Sequence, residues 1–186
     1  EVGCGAGEIL RQLSLKKNYR SVKFSGYETS KDAFRLCQKL ESESINFFND
    51  DLLKVNKSFD ILLCIDVFEH IKNYMDFILS IRNKAEYKIF HIPLDLSINS
   101  LINGSLVHAR NSVGHLHYFT ADTAIETLKD CNYKIIDQTF TPSFSAAKIK
   151  SLKTKLANVP RHILYKISPK LTSTLLGGVS LMVLTK

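Results

Sequence analysis

Three glycines alternate with small residues in the first eight positions, Glu1-Val2-Gly3-Cys4-Gly5-Ala6-Gly7-Glu8, and this stretch constrains the fold more than any other. Glycines at that spacing let a backbone turn sharply from a strand into a helix, and let a ligand approach without meeting a Cβ. The unpaired N–H groups at the start of the helix then face whatever occupies the turn. Ile9, Leu10 and Leu13 continue as one apolar helical face, expected to end by Asn18.

The remainder alternates strand and helix patterns. Val22 to Tyr27 reads as a strand with Glu28 at its end, and Ser30 caps a helix that turns Phe34, Cys37 and Leu40 inward. Ile45 to Phe48 is a short buried strand followed by Asp50 and Asp51. Phe59 to Ile65 is apolar apart from Asp60, the pattern of a strand covered on both faces. A helix with Phe68, Ile71, Met75, Ile78 and Arg82 on one side leads to a strand over Tyr87 to Ile92, which Pro93 ends. The segment after it, residues 94–119, is rich in Asn, Ser and His and is expected as an irregular stretch that covers a substrate. Thr120 then caps a helix backed by Ala124, Ile125, Leu128 and Cys131, and Tyr133 to Phe140 is a strand. Residues 146–176 are helical in character, with Ile149, Leu152 and Leu156 on one face; Gly177-Gly178 breaks them before a last strand, Val179 to Leu184. Such alternation implies an α/β sheet with right-handed crossovers.

A length of 186 residues fits one domain with a sizeable core, and an apolar fraction of 45% argues against disorder. Cys4, Cys37, Cys64 and Cys131 form no CxxC pair and sit among apolar or small residues, which suits buried free thiols. The sequence shows neither a signal peptide nor an apolar run long enough to span a bilayer. The chain opens inside its glycine motif without an initiator methionine, so Glu1 is not expected to be the natural N-terminus, and most of the strand before the turn is expected to be missing. The formal charge of +7 is concentrated late: no Asp or Glu follows Asp137, whereas Lys148, Lys150, Lys153, Lys155, Arg161, Lys166, Lys170 and Lys186 do. The basic helical segment 142–177 is either a solvated face or a surface for phosphate or anionic lipid.

Glu1-Val2-Gly3-Cys4-Gly5-Ala6-Gly7 resembles motif I of the class I S-adenosylmethionine-dependent methyltransferases. The likeness runs on through Tyr27-Glu28-Thr29-Ser30, Asn49-Asp50-Asp51-Leu52, Phe59-Asp60 to Glu69-His70, and Gly114-His115-Leu116-His117-Tyr118-Phe119. It implies one Rossmann-like methyltransferase domain over residues 1–186. The sheet would be mostly parallel and seven-stranded, in the order 3-2-1-4-5-7-6, with the last strand antiparallel and the first largely missing. Ligands of open α/β sheets bind beyond the carboxyl ends of the strands, where the strand order reverses. The resemblance places Glu28 on the ribose hydroxyls, Asp51 beside Asp50 on the adenine amino group, and Leu52 against the ring. The backbone after Ile65, with Asp66, would border the methionine part, for which Gly3, Gly5 and Gly7 leave room. Glu1 would orient the loop and favour the positive amino and sulfonium groups. A dinucleotide dehydrogenase binding NAD is the rival; it would want GxGxxG, whereas the spacing here is Gly3-x-Gly5-x-Gly7.

Methyl transfer is an in-line displacement at a carbon the cofactor already activates, so the protein must align the acceptor, exclude water and in some cases take a proton. The histidines near the expected site are His70, His91, His115 and His117. His115 and His117 are the candidates for base or substrate ligand; an equal alternative is a structural turn whose histidines bond backbone carbonyls. Asp66-Val67-Phe68-Glu69-His70 resembles the carboxylate-x-x-Glu-His element of small-RNA 2′-O-methyltransferases and some ubiquinone-biosynthesis O-methyltransferases. There the acids and histidines hold a divalent metal. The corresponding set here is Asp66, Glu69 and His70 with His115 or His117; the plain alternative is Glu69 favoured at a helix start, and the leading reading assigns no metal. Ile65-Asp66-Val67-Phe68 is not the Asn/Asp-Pro-Pro-aromatic element of DNA amino-methyltransferases, and no cysteine stands where a C5-cytosine nucleophile would be. The expectation is a cytoplasmic enzyme that methylates O or N of a small-molecule, sugar or lipid-linked acceptor, not DNA, with peripheral membrane contact through its basic C-terminal segment. A cofactor-binding scaffold without turnover remains an alternative.

Overall fold

A computed structural model describes residues 1–146 and 152–186. Lys148, Ile149 and Lys150 lie outside the described residues, as do the side chains of Leu152, Lys153, Lys155 and Leu156. The chain divides into two compact units, residues 1–67 with 80–89, and residues 68–79 with 90–186.

In the first unit the glycine turn feeds α1 (Glu8–Ser14), which ends four residues before the expected Asn18. β1 (Phe24–Tyr27) and β2 (Ile45–Phe48) pair in parallel in the register Phe24 to Ile45 and Tyr27 to Phe48. Between them runs α2 (Lys31–Cys37), capped as expected by Ser30, whose Oγ accepts the Ala33 N–H. The core joins Cys4, Leu10, Phe24, Cys37, Ile45 and Phe47, so the alternation Ile45-x-Phe47 points inward. β3 (Phe59–Ile65) and the first part of β4 (Ala85–Pro93) complete this unit. β3 departs from expectation: Ile61 is 55% exposed, so only its second half, with Leu62 and Cys64, is covered on both faces. The reason is a cavity of about 590 Å³ beside its beginning, lined by Glu1, Leu13, Phe24, Phe59, Ile61 and Leu63 among others.

In the second unit α3 (Tyr74–Ile81) is shorter than the expected helix, whose first residues form a separate 3-10 turn, Phe68–His70. Phe68 lies edge-on to both Phe90 and Phe119, and the Tyr133 hydroxyl donates to the Ile78 carbonyl at 2.8 Å. The expected irregular segment is instead largely helical, forming α4 (Ile98–Asn103) and α5 (Ser105–Val113). Ser97 and Ser100 cap α4 reciprocally, and Gly104 and Gly114, both left-handed, end the two helices. A run of polar residues hid short helices whose starts and stops are set by caps rather than by apolar periodicity. α6 (Ala121–Asp130) begins at Thr120 as expected. β5 (Ile135–Thr141), α7 (Ser143–Ala146), α8 (Leu152–Ile167), α9 (Pro169–Leu175) and β6 (Ser180–Thr185) follow, with β5 and β6 antiparallel.

The seven-stranded order 3-2-1-4-5-7-6 is not formed. Among the described residues there are a two-stranded sheet, β1-β2, and a four-stranded sheet in the order β3-β4-β6-β5. The first strand, expected to be largely missing, is a single residue, Val2, which makes parallel bridges to Tyr27 and Cys64. All four cysteines are buried and none forms a disulfide. No helix among the described residues is long and apolar enough to cross a membrane.

Candidate functional site

The glycine bend is stitched to the strands on either side of it. Val2 N–H donates to the Leu63 carbonyl at 3.0 Å, Cys4 N–H to the Tyr27 carbonyl at 3.1 Å, and Tyr27 N–H to the Glu1 carbonyl at 2.9 Å. The three glycines do different things. At Gly7, with φ 78°, a Cβ would fall 2.5 Å from the Phe47 ring, so only glycine lets α1 start so close to β2. At Gly5, with φ 53°, a Cβ would meet nothing within 4 Å, so this is the open position of the bend. Gly3 lies under the Val67 side chain, 3.0 Å from where its Cβ would be.

Glu28, one residue beyond β1, closes onto this bend. Its Oε2 accepts the Gly5 N–H at 2.9 Å and its Oε1 accepts the Ser30 N–H at 2.7 Å. Asn49 Nδ2 donates to the Glu28 carbonyl at 2.8 Å, which ties the ends of β1 and β2 together. Asp50 and Asp51 follow β2: Asp50 Oδ1 accepts the Asp51 N–H, and Asp51 Oδ1 accepts the Leu53 N–H and caps a short turn. Leu52 is turned into the unit and is only 2% exposed. Ile65 ends β3, and Asp66 after it adopts a left-handed φ of 50°, uncommon for a non-glycine residue and a mark of a constrained corner. These residues gather at the carboxyl ends of β1, β2 and β3. The cavity described above is at the opposite, beginning ends of β1 and β3 and is distinct from this rim. Glu1 lines that cavity; one carboxylate oxygen is buried with no hydrogen-bond partner among the described residues, and burial pushes its carboxyl up from 4.5 to about 7.

In the second unit, the structure separates the two candidate histidines. His117 Nε2 donates to the Ile71 carbonyl at 2.9 Å and its ring lies 4.4 Å from that of Tyr74, the contacts of a clasp. His115 Nδ1 is 2.5 Å from Asp95 Oδ2. A carboxylate there holds the proton on Nδ1 and leaves Nε2 as the basic nitrogen. His70 Nδ1 donates to the Gly114 carbonyl at 3.1 Å, and its ring lies 4.9 Å from that of His115. Glu69 is fully buried, and one potential ligand atom each from Glu69, His70 and His115 lies within 4.8 Å of the others. His91 is engaged elsewhere, with Nε2 2.8 Å from Thr141 Oγ1.

Asp95 and Val67 escaped the sequence reading. Asp95 carried a usable signal: like Glu28, Asp50 and Asp66 it is an acid just beyond the end of a strand, here β4. Val67 carried none, since its position over Gly3 depends on the left-handed turn at Asp66.

A family model described as "Methyltransferase domain" matches residues 1–138. The chain is 28% identical over 106 residues to the ubiquinone biosynthesis O-methyltransferase of Rickettsia canadensis (strain McKiel), a match covering 55% of this chain and 42% of that relative. It thus spans less than half the length of that curated relative. Among solved structures, a SAM-dependent methyltransferase from Archaeoglobus fulgidus superposes with a TM-score of 0.62 at 18% identity, covering 100% of this chain and 84% of that one. The magnesium protoporphyrin IX methyltransferase of Synechocystis PCC 6803, solved with bound SAH, gives a TM-score of 0.64 at 12% identity, covering 100% and 72%. These likenesses establish a Rossmann-like methyltransferase fold. With a bend, an acid that closes it and a family model that spans both, the chain belongs to the methyltransferase-domain family, the class I S-adenosylmethionine-dependent methyltransferases.

Proposed function

We propose that residues 1–186 act as one methyltransferase domain that transfers the methyl group of S-adenosyl-L-methionine to an oxygen or nitrogen of a small-molecule, sugar or lipid-linked acceptor. The observation that carries the cofactor half of this reading is the Glu28 carboxylate, held on the open Gly5 position of the bend. In this reading Glu28 takes the ribose hydroxyls, Asp51 with Asp50 the adenine amino group, and the backbone at Ile65 and Asp66 borders the methionine part. Leu52 supports the turn from inside, and Gly3 and Gly7 shape the bend. Glu1, expected beside the cofactor's positive groups, lines the cavity at the other ends of β1 and β3 and takes no part in this reading.

On the acceptor side we assign His115 as the base or acceptor ligand, aligned by Asp95, and His117 as the clasp that holds its loop. A neutral imidazole with its proton fixed on Nδ1 can take the acceptor proton at Nε2 as the methyl group arrives. The acceptor is a small molecule rather than DNA, and the protein works in the cytoplasm, with peripheral membrane contact through its basic C-terminal segment.

The Glu69–His70–His115 cluster favours a second reading, metal-assisted O-methylation. Two imidazoles and one carboxylate suit a divalent cation, and both imidazoles are already oriented through Nδ1 by oxygen acceptors, as metal-ligating histidines usually are. A cation there would lower the pKa of an acceptor hydroxyl. Radiolabelled methyl transfer from S-adenosylmethionine to a cell extract tests the main reading. A labelled low-mass or lipid product supports it. Cofactor binding with no labelled product leaves a non-catalytic scaffold.

A further inference from the structure

α8 is amphipathic in the inverted sense. Among its described side chains, three of those turned toward the protein are polar or polar-tipped, with Leu164 half-buried beside them. Asn158 is buried and donates from Nδ2 to the Phe144 carbonyl at 3.3 Å. Arg161 grips the Leu176 carbonyl from Nε and Nη2 at 3.2 and 3.0 Å and donates from Nη1 to Asn158 at 2.9 Å. The Tyr165 hydroxyl donates to the Phe140 carbonyl at 2.7 Å. Its exposed residues include, alongside Pro160, His162 and Lys166, an aliphatic series, Val159, Ile163 and Ile167, four positions apart and 50%, 59% and 75% exposed. Helical spacing of four stacks them into one stripe, and Leu171 of α9, 44% exposed, follows them in sequence. A surface helix of a globular protein has the reverse arrangement, and contiguous exposed aliphatic surface marks a contact site.

The charge pattern says what that contact is. Residues 152–175 contain Lys153, Lys155, Arg161, Lys166 and Lys170 and no acid. Lys166 is exposed and lies beside Val159 and Ile163 by helical spacing; Lys170, on α9 beyond the break at Ser168, is exposed with an acid beside it, Asp122 at 2.6 Å. An aliphatic stripe among cations is the composition of a helix that lies in a membrane interface, where the apolar side enters the acyl boundary and the lysines meet anionic headgroups. Each such lysine adds attraction toward an anionic surface.

We propose that the outer face of α8, formed by Val159, Ile163 and Ile167 with Lys166, docks on an anionic lipid surface. The proposal deepens the membrane contact named above by giving it a face and an orientation. It does not rest on which acceptor is methylated. The interaction is peripheral and reversible.

Cosedimentation of the full chain with vesicles tests it. Vesicles of phosphatidylcholine with phosphatidylglycerol are expected to bind about tenfold more tightly than phosphatidylcholine alone. The double variant Ile163→Asp, Ile167→Asp is expected to lose that binding with unchanged circular dichroism and cofactor affinity, because both side chains are exposed. Lys166→Glu is expected to remove the preference for anionic vesicles and leave the fold intact. Equal partition to the two vesicle types, no binding to either, or wild-type binding by the double variant each overturns the proposal. Concentration-dependent self-association that the double variant abolishes, with no vesicle binding, overturns it in favour of a second copy of this chain.

Discussion

Glu28 reaches back over the glycine bend to accept the Gly5 N–H through Oε2 at 2.9 Å. A carboxylate so placed shapes the bend and presents acceptor lone pairs at its open position. Glu28→Gln keeps the size of the side chain but replaces one acceptor oxygen by a donor group. We expect it to weaken S-adenosylhomocysteine binding about 10- to 100-fold in calorimetry, the worth of a hydrogen bond to a charged group. Unchanged affinity would remove Glu28 from the cofactor site.

The Asp95–His115 pair makes a different prediction, because the proposed reading gives it a part in turnover and none in cofactor binding. Asp95→Asn can no longer fix the proton on His115 Nδ1. Once an acceptor is identified, kcat should fall about 10²-fold or more while the dissociation constant for S-adenosylhomocysteine stays within about twofold. The tautomer itself is readable by nitrogen NMR of the imidazole. A variant that shifts neither kcat nor the tautomer signals would make the pair structural.

How much of this was legible beforehand differs by element. The bend, Ser30 and Thr120 could be read because each is a local device: a backbone conformation or a cap that depends on residues within four positions. The acids at the strand ends could be read for the same reason, once the strands were placed. The bridge of one residue at Val2, to Tyr27 on one side and Cys64 on the other, required coordinates. The helices at 98–113 were hidden because Ser97, Ser100 and Gly104 set their limits while Leu101, Ile102 and Val107 stay exposed, so no apolar period marks an inner face. The separation of His115 from His117 depends on Asp95 and Ile71, twenty or more residues away, and no spacing rule carries that.

The metal-assisted reading predicts a response to ligand removal. Chelation should abolish methyl transfer and leave cofactor binding intact, and Mn²⁺ or Mg²⁺ should restore it. His70→Ala should then raise the metal concentration needed for half-maximal rate about 10- to 100-fold. Transfer indifferent to chelator would leave His115 as the base without a metal.

Glu1 predicts a pH dependence. Burial raises its carboxyl in the folded chain from 4.5 to about 7. The folded state therefore keeps a proton that the unfolded chain releases, so stability is full below pH 4.5 and falls as pH rises through about 7. The loss is on the order of 3 kcal/mol. Glu1→Gln should flatten the pH dependence of the thermal midpoint over that window. An equally steep profile in the variant would assign the dependence to other groups.

Glycine packing predicts a stability effect without a charge. A Cβ at Gly26 would lie 2.5 Å from Phe47 and 2.8 Å from Cys4 Sγ. Gly26→Ala should cost about 1–3 kcal/mol through overpacking. That lowers the thermal midpoint by about 2–4 °C per kcal/mol. Phe47→Leu in the same chain should recover part of the loss, since it vacates that space.

One aromatic side chain occupies both vacancies, at Gly7 and at Gly26. Phe47 is therefore a shared spacer between the start of the ligand-facing helix and the strand beside it. Natural drift or an engineer's substitution at this ring would be felt in the shape of the glycine bend as well as in melting behaviour, so the robustness of this chain and the form of its bend change together.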